Sequence, residues 1–158
     1  MRVLGVDPGT AVTGYGVIET GNGSPGMGRL VECGVIPLGR GRSLAHRLAE
    51  LHDGIADLIA KHQPSALTLE NAFYHKNVRT TLVLGHARGV ILLAAQQAGL
   101  AIAEYPPATV KKTVVGVGGA AKSQVAAMVA RLLRLKHAPK PADAADGVAV
   151  ALTYVLRA

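Results

Sequence analysis

Four acidic residues stand at positions where a carboxylate could take part in catalysis. Asp7 and Glu70 each end a short apolar run, whereas Asp143 and Asp146 are three residues apart at the start of a helical pattern. Residues with that spacing lie on one face of a helix. Carboxylates that cluster need a cation to offset their repulsion, and ligand sets made only of oxygen favour Mg²⁺ or Mn²⁺. The four acids therefore indicate a divalent metal site.

Each acid also has a structural interpretation. Asp7 opens an Asp-Pro-Gly tripeptide, which is common in turns. Asp143 and Asp146 fall in the first turns of a predicted helix, where capping and the helix dipole favour acids. Glu70 has no comparable local role at the end of a buried strand. The functional interpretation is therefore strongest for Glu70.

The elements that must position these acids follow from hydrophobic periodicity. The patterns predict strands at 2–6, 14–19, 29–38, 66–70 and 101–105, and helices at 43–62, 82–97, 122–135 and 142–156, with a brief helical segment after Pro107. Ser43 is the predicted N-cap of the first helix. The alternation of helices and strands in the second half implies parallel pairing. If the first and fourth strands are neighbours, Asp7 and Glu70 emerge side by side.

The predicted fold class is α/β. A five-stranded mixed sheet, with three antiparallel strands followed by two parallel strands, is flanked by helices in one domain spanning residues 1–158. A loop is expected at 21–26, because its Gly, Asn, Ser and Pro content prevents regular structure.

The charge balance favours a polyanionic partner. The chain carries 17 Lys and Arg against 10 Asp and Glu, a formal net charge of +7. Between residues 71 and 142 the basic residues stand against the lone acid Glu104, which indicates binding to phosphates. A generally basic, well-solvated surface is the alternative. No uninterrupted apolar run is expected to cross a bilayer, and the single cysteine, Cys33, is compatible with a reducing cytoplasm.

Four segments carry a resemblance to a known family. They read GVDPGTAVTGYGVI at 5–18, LENAFYHKNVRTTLVLGHARGV at 69–90, VKKTVVGVGGAAKSQV at 110–125 and ADAADGVAVALTY at 142–154. Together they closely resemble the RuvC family of Holliday junction resolvases, over essentially the whole chain. The resemblance implies a ribonuclease H-like fold and a homodimer that cuts two symmetrically related strands of a four-way DNA junction. It also implies a branch-migration complex of the RuvA and RuvB type as partner.

The same resemblance implies that Asp7, Glu70, Asp143 and Asp146 are the catalytic and metal-binding acids. Two Mg²⁺ or Mn²⁺ ions, about 3.5–4 Å apart, would activate a water and stabilise the departing 3′ oxygen. Asp7 would bridge the two ions, with Glu70 and Asp146 flanking one each. Asp143 would complete the shell or orient the water, and some relatives have His at its position. His75 and His86 are nearby candidates for a general base, although an isolated His is more often a surface residue.

The resemblance assigns DNA contacts as well. Phe73 would stack on an unpaired base beside the scissile bond, with a core anchor as the alternative. Phosphate contacts would come from four cations, each of which could instead be plain solvated charge: Lys76, Arg79, Lys111 and Lys122.

The predicted helix 82–97 is rich in small residues that let another backbone approach closely: Gly85, Ala87, Gly89, Ala94 and Ala95. Packing onto the protein's own sheet explains some of them. The family resemblance places the others in a dimer interface.

Three other functions compete with nuclease activity. The Asp7-Pro8-Gly9-Thr10 turn also looks like a phosphate loop of actin-like kinases, but those folds need two such domains and a longer chain. Residues 116–123 nearly match a P-loop, but Ala121 replaces the required Gly. A non-catalytic junction-binding protein would share the basic surface without needing the four acids.

Overall fold

A computed structural model describes residues 1–21, 28–39, 41–72 and 76–158 of the chain. The elements follow one another as β1 (Arg2–Asp7), β2 (Val12–Glu19), β3 (Arg29–Pro37), α1 (Leu44–His62), β4 (Ala66–Glu70), α2 (Val78–Gln97), β5 (Ala101–Tyr105), α3 (Pro107–Val115), α4 (Lys122–Leu132) and α5 (Ala142–Arg157). The predicted loop at 21–26 falls largely in 22–27, and those residues lie outside the described ranges.

The five strands form one mixed sheet in the order β3-β2-β1-β4-β5. Strands β1, β2 and β3 pair antiparallel. Strand β1 pairs parallel with β4, and β4 pairs parallel with β5. The predicted mixed sheet is therefore confirmed. The first and fourth strands are neighbours, which is the condition under which Asp7 and Glu70 were expected to emerge side by side.

Apolar side chains cover both faces of the sheet. On one face, α1 and α2 bury Leu51, Ile55 and Ile91 against the strands. On the other face, α5 packs directly on the sheet through residues such as Val148 and Leu152, with α3 and α4 outside it. The sheet is buried between these two helical layers, which is why β1 and β4 are almost continuously apolar.

Capping residues set the helix starts. The Ser43 hydroxyl accepts a hydrogen bond from the backbone N–H of His46 at 3.1 Å, as predicted for the first helix. Helix α2 begins at Val78, four residues before the predicted start. The reason is Asn77, whose side-chain oxygen accepts hydrogen bonds from the backbone N–H groups of Arg79 and Thr80.

One predicted helix end is also wrong. Helix α4 stops at Leu132 rather than 135 because Arg134 adopts a left-handed conformation, with φ of 55°. The N–H of Leu135 then bonds to the carbonyl of Ala130, which closes the helix.

Helix α2 is more apolar than the sequence analysis expected. Its 20 residues, with a mean hydropathy of 1.3, are long and apolar enough to cross a membrane by length and composition alone. Core helices of soluble proteins can pass the same test. Here Ala87, Ile91 and Ala95 are buried in the core, and the Arg88 guanidinium forms an ion pair with Glu104 at 2.6 Å. These contacts tie α2 to the sheet.

Candidate active site

The parallel pairing of β1 and β4 places two of the acids at one edge of the sheet. Val6 lies opposite Leu69 in the register, so Asp7 and Glu70 follow at adjacent carboxyl ends. On the other side of β1, Asp7 lies opposite Gly14 of β2. The expectation that Asp7 and Glu70 emerge side by side is confirmed.

Glycines bring α5, with the other two acids, close to β1 and β2. A Cβ at Gly14 would overlap the backbone carbonyl of Asp143, and a Cβ at Gly147 would lie within 2.5 Å of the backbone of Tyr15. Gly5 and Gly16 have equally close contacts with α5. We call these four residues the glycine seam. It allows backbone-to-backbone packing of α5 on the sheet, which carries Asp146 toward Asp7.

Asp7, Glu70 and Asp146 line one cavity of about 170 Å³, which we call the acid cavity. Lys111 and Lys122 line it as well. The side chain of Asp143 is not among the lining groups, although its charge contributes to raising the pKa of Asp7. The structure thus brings three of the four predicted acids to one cavity, with Asp143 beside it.

The buried acids oppose one another's ionisation. Burial, and then the negative charges of Glu70 and Asp146, raise the pKa of Asp7 to about 8. Burial and the charge of Asp146 also raise the pKa of Glu70 to about 7, although Lys122 and Lys111 act in the opposite direction. The Asp146 carboxylate in turn raises the pKa of Lys122. Full ionisation of the three acids would exceed the charge that the two lysines offset, so Asp7 and Glu70 hold their protons until a cation binds.

A second cavity of about 160 Å³ adjoins the first at Asp7 and Glu70. We call it the Asn71 cavity, because the side-chain oxygen of Asn71 is buried in its wall without a hydrogen-bond partner among the described residues. The backbone N–H of Asn71 donates to the carbonyl of Tyr105 at 2.9 Å, which fixes the residue at the end of β4. A buried amide oxygen without a partner is costly, so a ligand or a water that donates a hydrogen bond to it would be stabilised there.

A family model described as crossover junction endodeoxyribonuclease RuvC matches residues 3–154. The chain belongs to the RuvC family. A RuvC from Halorhodospira halophila is 49% identical over 153 residues, 97% of this chain and 89% of that protein. A Thermus thermophilus RuvC, solved in complex with a Holliday junction substrate, superimposes with a TM-score of 0.92 at 32% identity over 99% of this chain and 94% of its own.

The RuvC fold class is confirmed by a more distant structure. A yeast mitochondrial Holliday junction resolvase has a TM-score of 0.65 at 15% identity, covering 98% of this chain and 78% of its own. The expected ribonuclease H-like fold is confirmed by the likeness to the Thermus thermophilus RuvC, and the yeast structure shares the fold. Membership of the RuvC family makes the chain a crossover junction endodeoxyribonuclease, and it implies that cleavage requires a divalent metal.

The acids of this RuvC chain fit such a metal by their chemistry. The acidic groups of the cavity supply only carboxylate oxygens, the donors that Mg²⁺ and Mn²⁺ prefer, and the mutual repulsion that helps to raise the pKa of Asp7 would be relieved by a cation. Among the residues that the structure describes, no three His, Cys, Asp or Glu side chains are arranged to hold an ion. That arrangement is not required, because Mg²⁺ is commonly held by one or two carboxylates, with waters and substrate phosphates completing the shell.

The other predicted site residues of this RuvC chain separate into three groups. Lys111 and Lys122 line the acid cavity, where phosphate contacts are expected. Lys76 and Arg79 are exposed near the start of α2 and line neither cavity described so far. Phe73 and His75 lie outside the described residues. The remaining candidate, His86, also lines neither cavity, which leaves it without a geometric role as a general base.

Sequence reasoning missed Asn71 and Arg88 of the Asn71 cavity. Asn71 follows Glu70 directly, but an Asn after a strand is ordinarily a turn residue. Arg88 is one of many cations in the basic part of the chain. Only the packing of α2 against β5, which lies beside β4 in the sheet, brings both to the cavity.

Proposed function

We propose that the chain resolves four-way DNA junctions with Asp7, Glu70, Asp143 and Asp146 as its catalytic acids, within a single nuclease domain spanning residues 1–158. The observation that carries the proposal is the acid cavity. Three carboxylates share the cavity, and their charges help burial to raise the pKa of Asp7 and Glu70, so the cluster is costly for stability unless a cation binds between them.

Two divalent cations, Mg²⁺ or Mn²⁺, would supply the charge that activates a water and stabilises the departing 3′ oxygen. Asp7, which shares the acid cavity with Glu70 and Asp146, would hold both ions. Glu70 and Asp146 would each hold one ion. Asp143, beside the cavity rather than in it, would complete the shell or orient the water.

The cations near the site would hold the DNA backbone. Lys111 and Lys122 face the acid cavity, so we assign them to the phosphates on either side of the cut. Lys76 and Arg79, both exposed, are assigned to phosphates farther along the strand. Phe73 is proposed to stack on an unpaired base at the junction centre.

We further propose that the enzyme is a homodimer formed through α2. Val78 and Leu93 are 73% and 51% exposed. Gly85 and Gly89 lie on the same helical face as these residues, and a Cβ added at either would meet nothing within 4 Å. Only 22% of the apolar stretch is buried within the chain. A second copy covering this face would remove the apolar surface from water and would place two identical sites for paired, resealable nicks.

A branch-migration complex of the RuvA and RuvB type is the proposed partner of the dimer, and the cytoplasm its proposed location. The basic charge and the single Cys33 are compatible with a DNA-acting protein in a reducing compartment.

The decisive experiment incubates the protein with a synthetic four-way junction, with and without Mn²⁺ or Mg²⁺, and with linear duplex as control. We expect paired nicks in the junction that depend on metal and that DNA ligase can seal. Asp7→Asn should lower the cleavage rate at least about a hundredfold while junction binding persists. Asp53→Asn, at an exposed position of α1, removes the same charge and should cut normally. A junction that is bound but never cut with any metal would contradict the proposal.

A further inference from the structure

A third cavity, of about 340 Å³, lies between the N-terminal ends of α1 and α2. Arg42, Arg47, Arg79 and His86 line it together with the apolar residues Leu44, Leu82 and Val83. We call it the arginine cavity.

The arginine cavity and the Asn71 cavity lie on opposite sides of α2. Residues 81, 84, 85 and 88 of the helix line the Asn71 cavity, whereas residues 79, 82, 83 and 86 line the arginine cavity. Each set has the spacing of one helical face, and the sets differ by two residues, a rotation of about 200°. The N-terminal half of α2 therefore separates the acids from a distinct basic site.

The arginines of this cavity lack carboxylate partners. Among the described residues, Arg42, Arg47 and Arg79 form no ion pair, whereas Arg2 and Arg29 each bind a glutamate. Arg42 contacts the ring of His46 at 2.9 Å, and the same ring contacts Glu50. The charge of Arg42 also helps to lower the pKa of Glu50, so this carboxylate offsets part of the positive charge. Three arginines with one nearby carboxylate still leave a net positive charge, which attracts an anion.

Arg47 is held in place with a donor to spare. One terminal nitrogen of its guanidinium donates to the backbone carbonyl of Thr10, while its Nε is buried without a partner among the described residues. A buried N–H without an acceptor is costly unless a ligand satisfies it. Thr10 follows Asp7 by three residues, so this anchor places the arginine cavity at the catalytic edge of the sheet.

We propose that the arginine cavity binds a backbone phosphodiester of one junction arm, at a site separate from the scissile phosphate. Guanidinium groups match phosphate oxygens with paired hydrogen bonds, and the apolar wall suits the deoxyribose beside them. The proposal rests on junction binding as proposed above, and it adds Arg42 and Arg47 to the DNA contacts. Phosphodiester is favoured over a free anion because the cavity is open between exposed Arg42 and Arg79.

The test measures junction affinity in chelator, so that no cleavage occurs, over a range of NaCl concentrations. Arg42→Gln is the decisive variant. Arg79→Gln and the double variant, which carries both substitutions, are measured for comparison. Each lost phosphate contact should weaken binding roughly five- to tenfold near 0.1 M salt and should reduce the log–log salt slope by about 0.9. Arg42→Lys should recover most of the slope. Arg29→Gln is the matched control, because it removes one exposed arginine at the opposite end of the sheet.

Unchanged affinity and slope in Arg42→Gln would overturn the proposal while leaving junction resolution intact. A change in the sedimentation of the free protein, with junction affinity unaltered, would also overturn it, since a second copy of the chain would then fill the cavity. Failure of the parent protein to bind a junction at all would instead refute the proposed function, and this inference with it.

Discussion

The ammonium group of Lys122 lies 3.3 Å from a carboxylate oxygen of Asp146. Lys122 begins α4 and Asp146 lies in α5, so the contact joins two helices across the mouth of the acid cavity. The lysine side chain is 78% exposed, whereas that of Asp146 is 19% exposed. Lys122 therefore neutralises part of the charge of the acids from the solvent side, where an incoming phosphate would meet it.

Lys122→Met separates the two roles of this lysine. Removing a cation from beside the acids should leave Mg²⁺ affinity unchanged or increase it, since less positive charge repels the ion. Cleavage should fall at least about tenfold, because a phosphate contact is lost. Calorimetry without DNA and single-turnover cleavage measure the two effects. Lys136→Met, at an exposed position outside the cavity, is the control. Weaker Mg²⁺ binding in Lys122→Met would show that the lysine supports the metal site instead.

Without metal, the raised pKa values should make stability depend on pH. A carboxyl whose pKa is raised from 3.8 to about 8 contributes stability in its protonated form, and that contribution is lost as pH rises through this window. In chelator the parent should therefore unfold at lower urea concentration at pH 8 than at pH 5. Asp7→Asn should show a smaller difference and should be at least as stable as the parent at pH 8. If Asp7→Asn is sharply destabilised at both pH values, Asp7 is a turn residue.

Metal binding should release protons. At pH 7 a carboxyl with a pKa of about 8 is mostly protonated, and one with a pKa of about 7 is half protonated, so binding must displace roughly one proton per site. Near pH 9.5 the release should vanish. Calorimetric Mg²⁺ titrations in buffers of different ionisation enthalpy measure the number. Equal proton release at both pH values would contradict the raised pKa values.

A different carboxylate should stabilise the fold in the opposite pH range. Glu32 accepts hydrogen bonds from Lys61 at 2.8 Å, from Tyr15 at 2.9 Å and from the ring of buried His62 at 2.7 Å. The contact with Lys61, followed by those with Tyr15 and His62, lowers the pKa of Glu32 to about 2. Its contribution to stability is therefore present above pH 4.5 and lost as pH falls toward 2.

Glu32→Gln should cost about 1–2 kcal/mol at pH 7, since solvent screens part of the cluster, and almost nothing at pH 2. Glu50→Gln, which breaks an exposed pair with His46, is the control and should leave stability nearly unchanged at both pH values. Urea denaturation at both pH values provides the comparison. A loss that is the same at pH 2 and pH 7 would mean that packing, rather than charge, accounts for it.

Gly89→Glu should convert the proposed dimer to a monomer. A side chain at Gly89 meets nothing within 4 Å inside the chain, so the variant should fold normally, but it places a charge on the apolar face of α2. Sedimentation of the parent should give about twice 16.3 kDa, and that of Gly89→Glu the monomer mass. Gly21→Glu, also in open space, is the matched control. If the parent sediments as a monomer at micromolar concentration, the proposed homodimer is wrong, and with it the proposed explanation of paired cuts.

The sequence predicts the local elements and the edge where the acids meet, because both depend on short-range patterns. Residues 66–70 and 101–105 form strands as expected. The alternation of helices and strands predicted parallel pairing in the second half of the chain, and β4 indeed pairs parallel with β1 and with β5. The start of α2 was missed because the apolar spacing obscured the cap at Asn77. The arginine cavity could not be foreseen, since Arg42 and Arg79 are brought together only when α1 packs on α2. Local sequence patterns predict single helices, but they do not predict how closely two helices pack.

The glycine seam makes the spacing of the acids a property of the backbone. Because the backbone of α5 lies in direct contact with β1 and β2 at these glycines, the helix cannot shift away from the sheet without opening a gap, nor approach it further. Gly14→Ala would thus move Asp146 relative to Asp7 without altering either. Loss of activity in variants of this enzyme should consequently map to two classes of position, the carboxylates themselves and the glycines that set their separation. Selection for activity would therefore act on the carboxylates and on these glycines together.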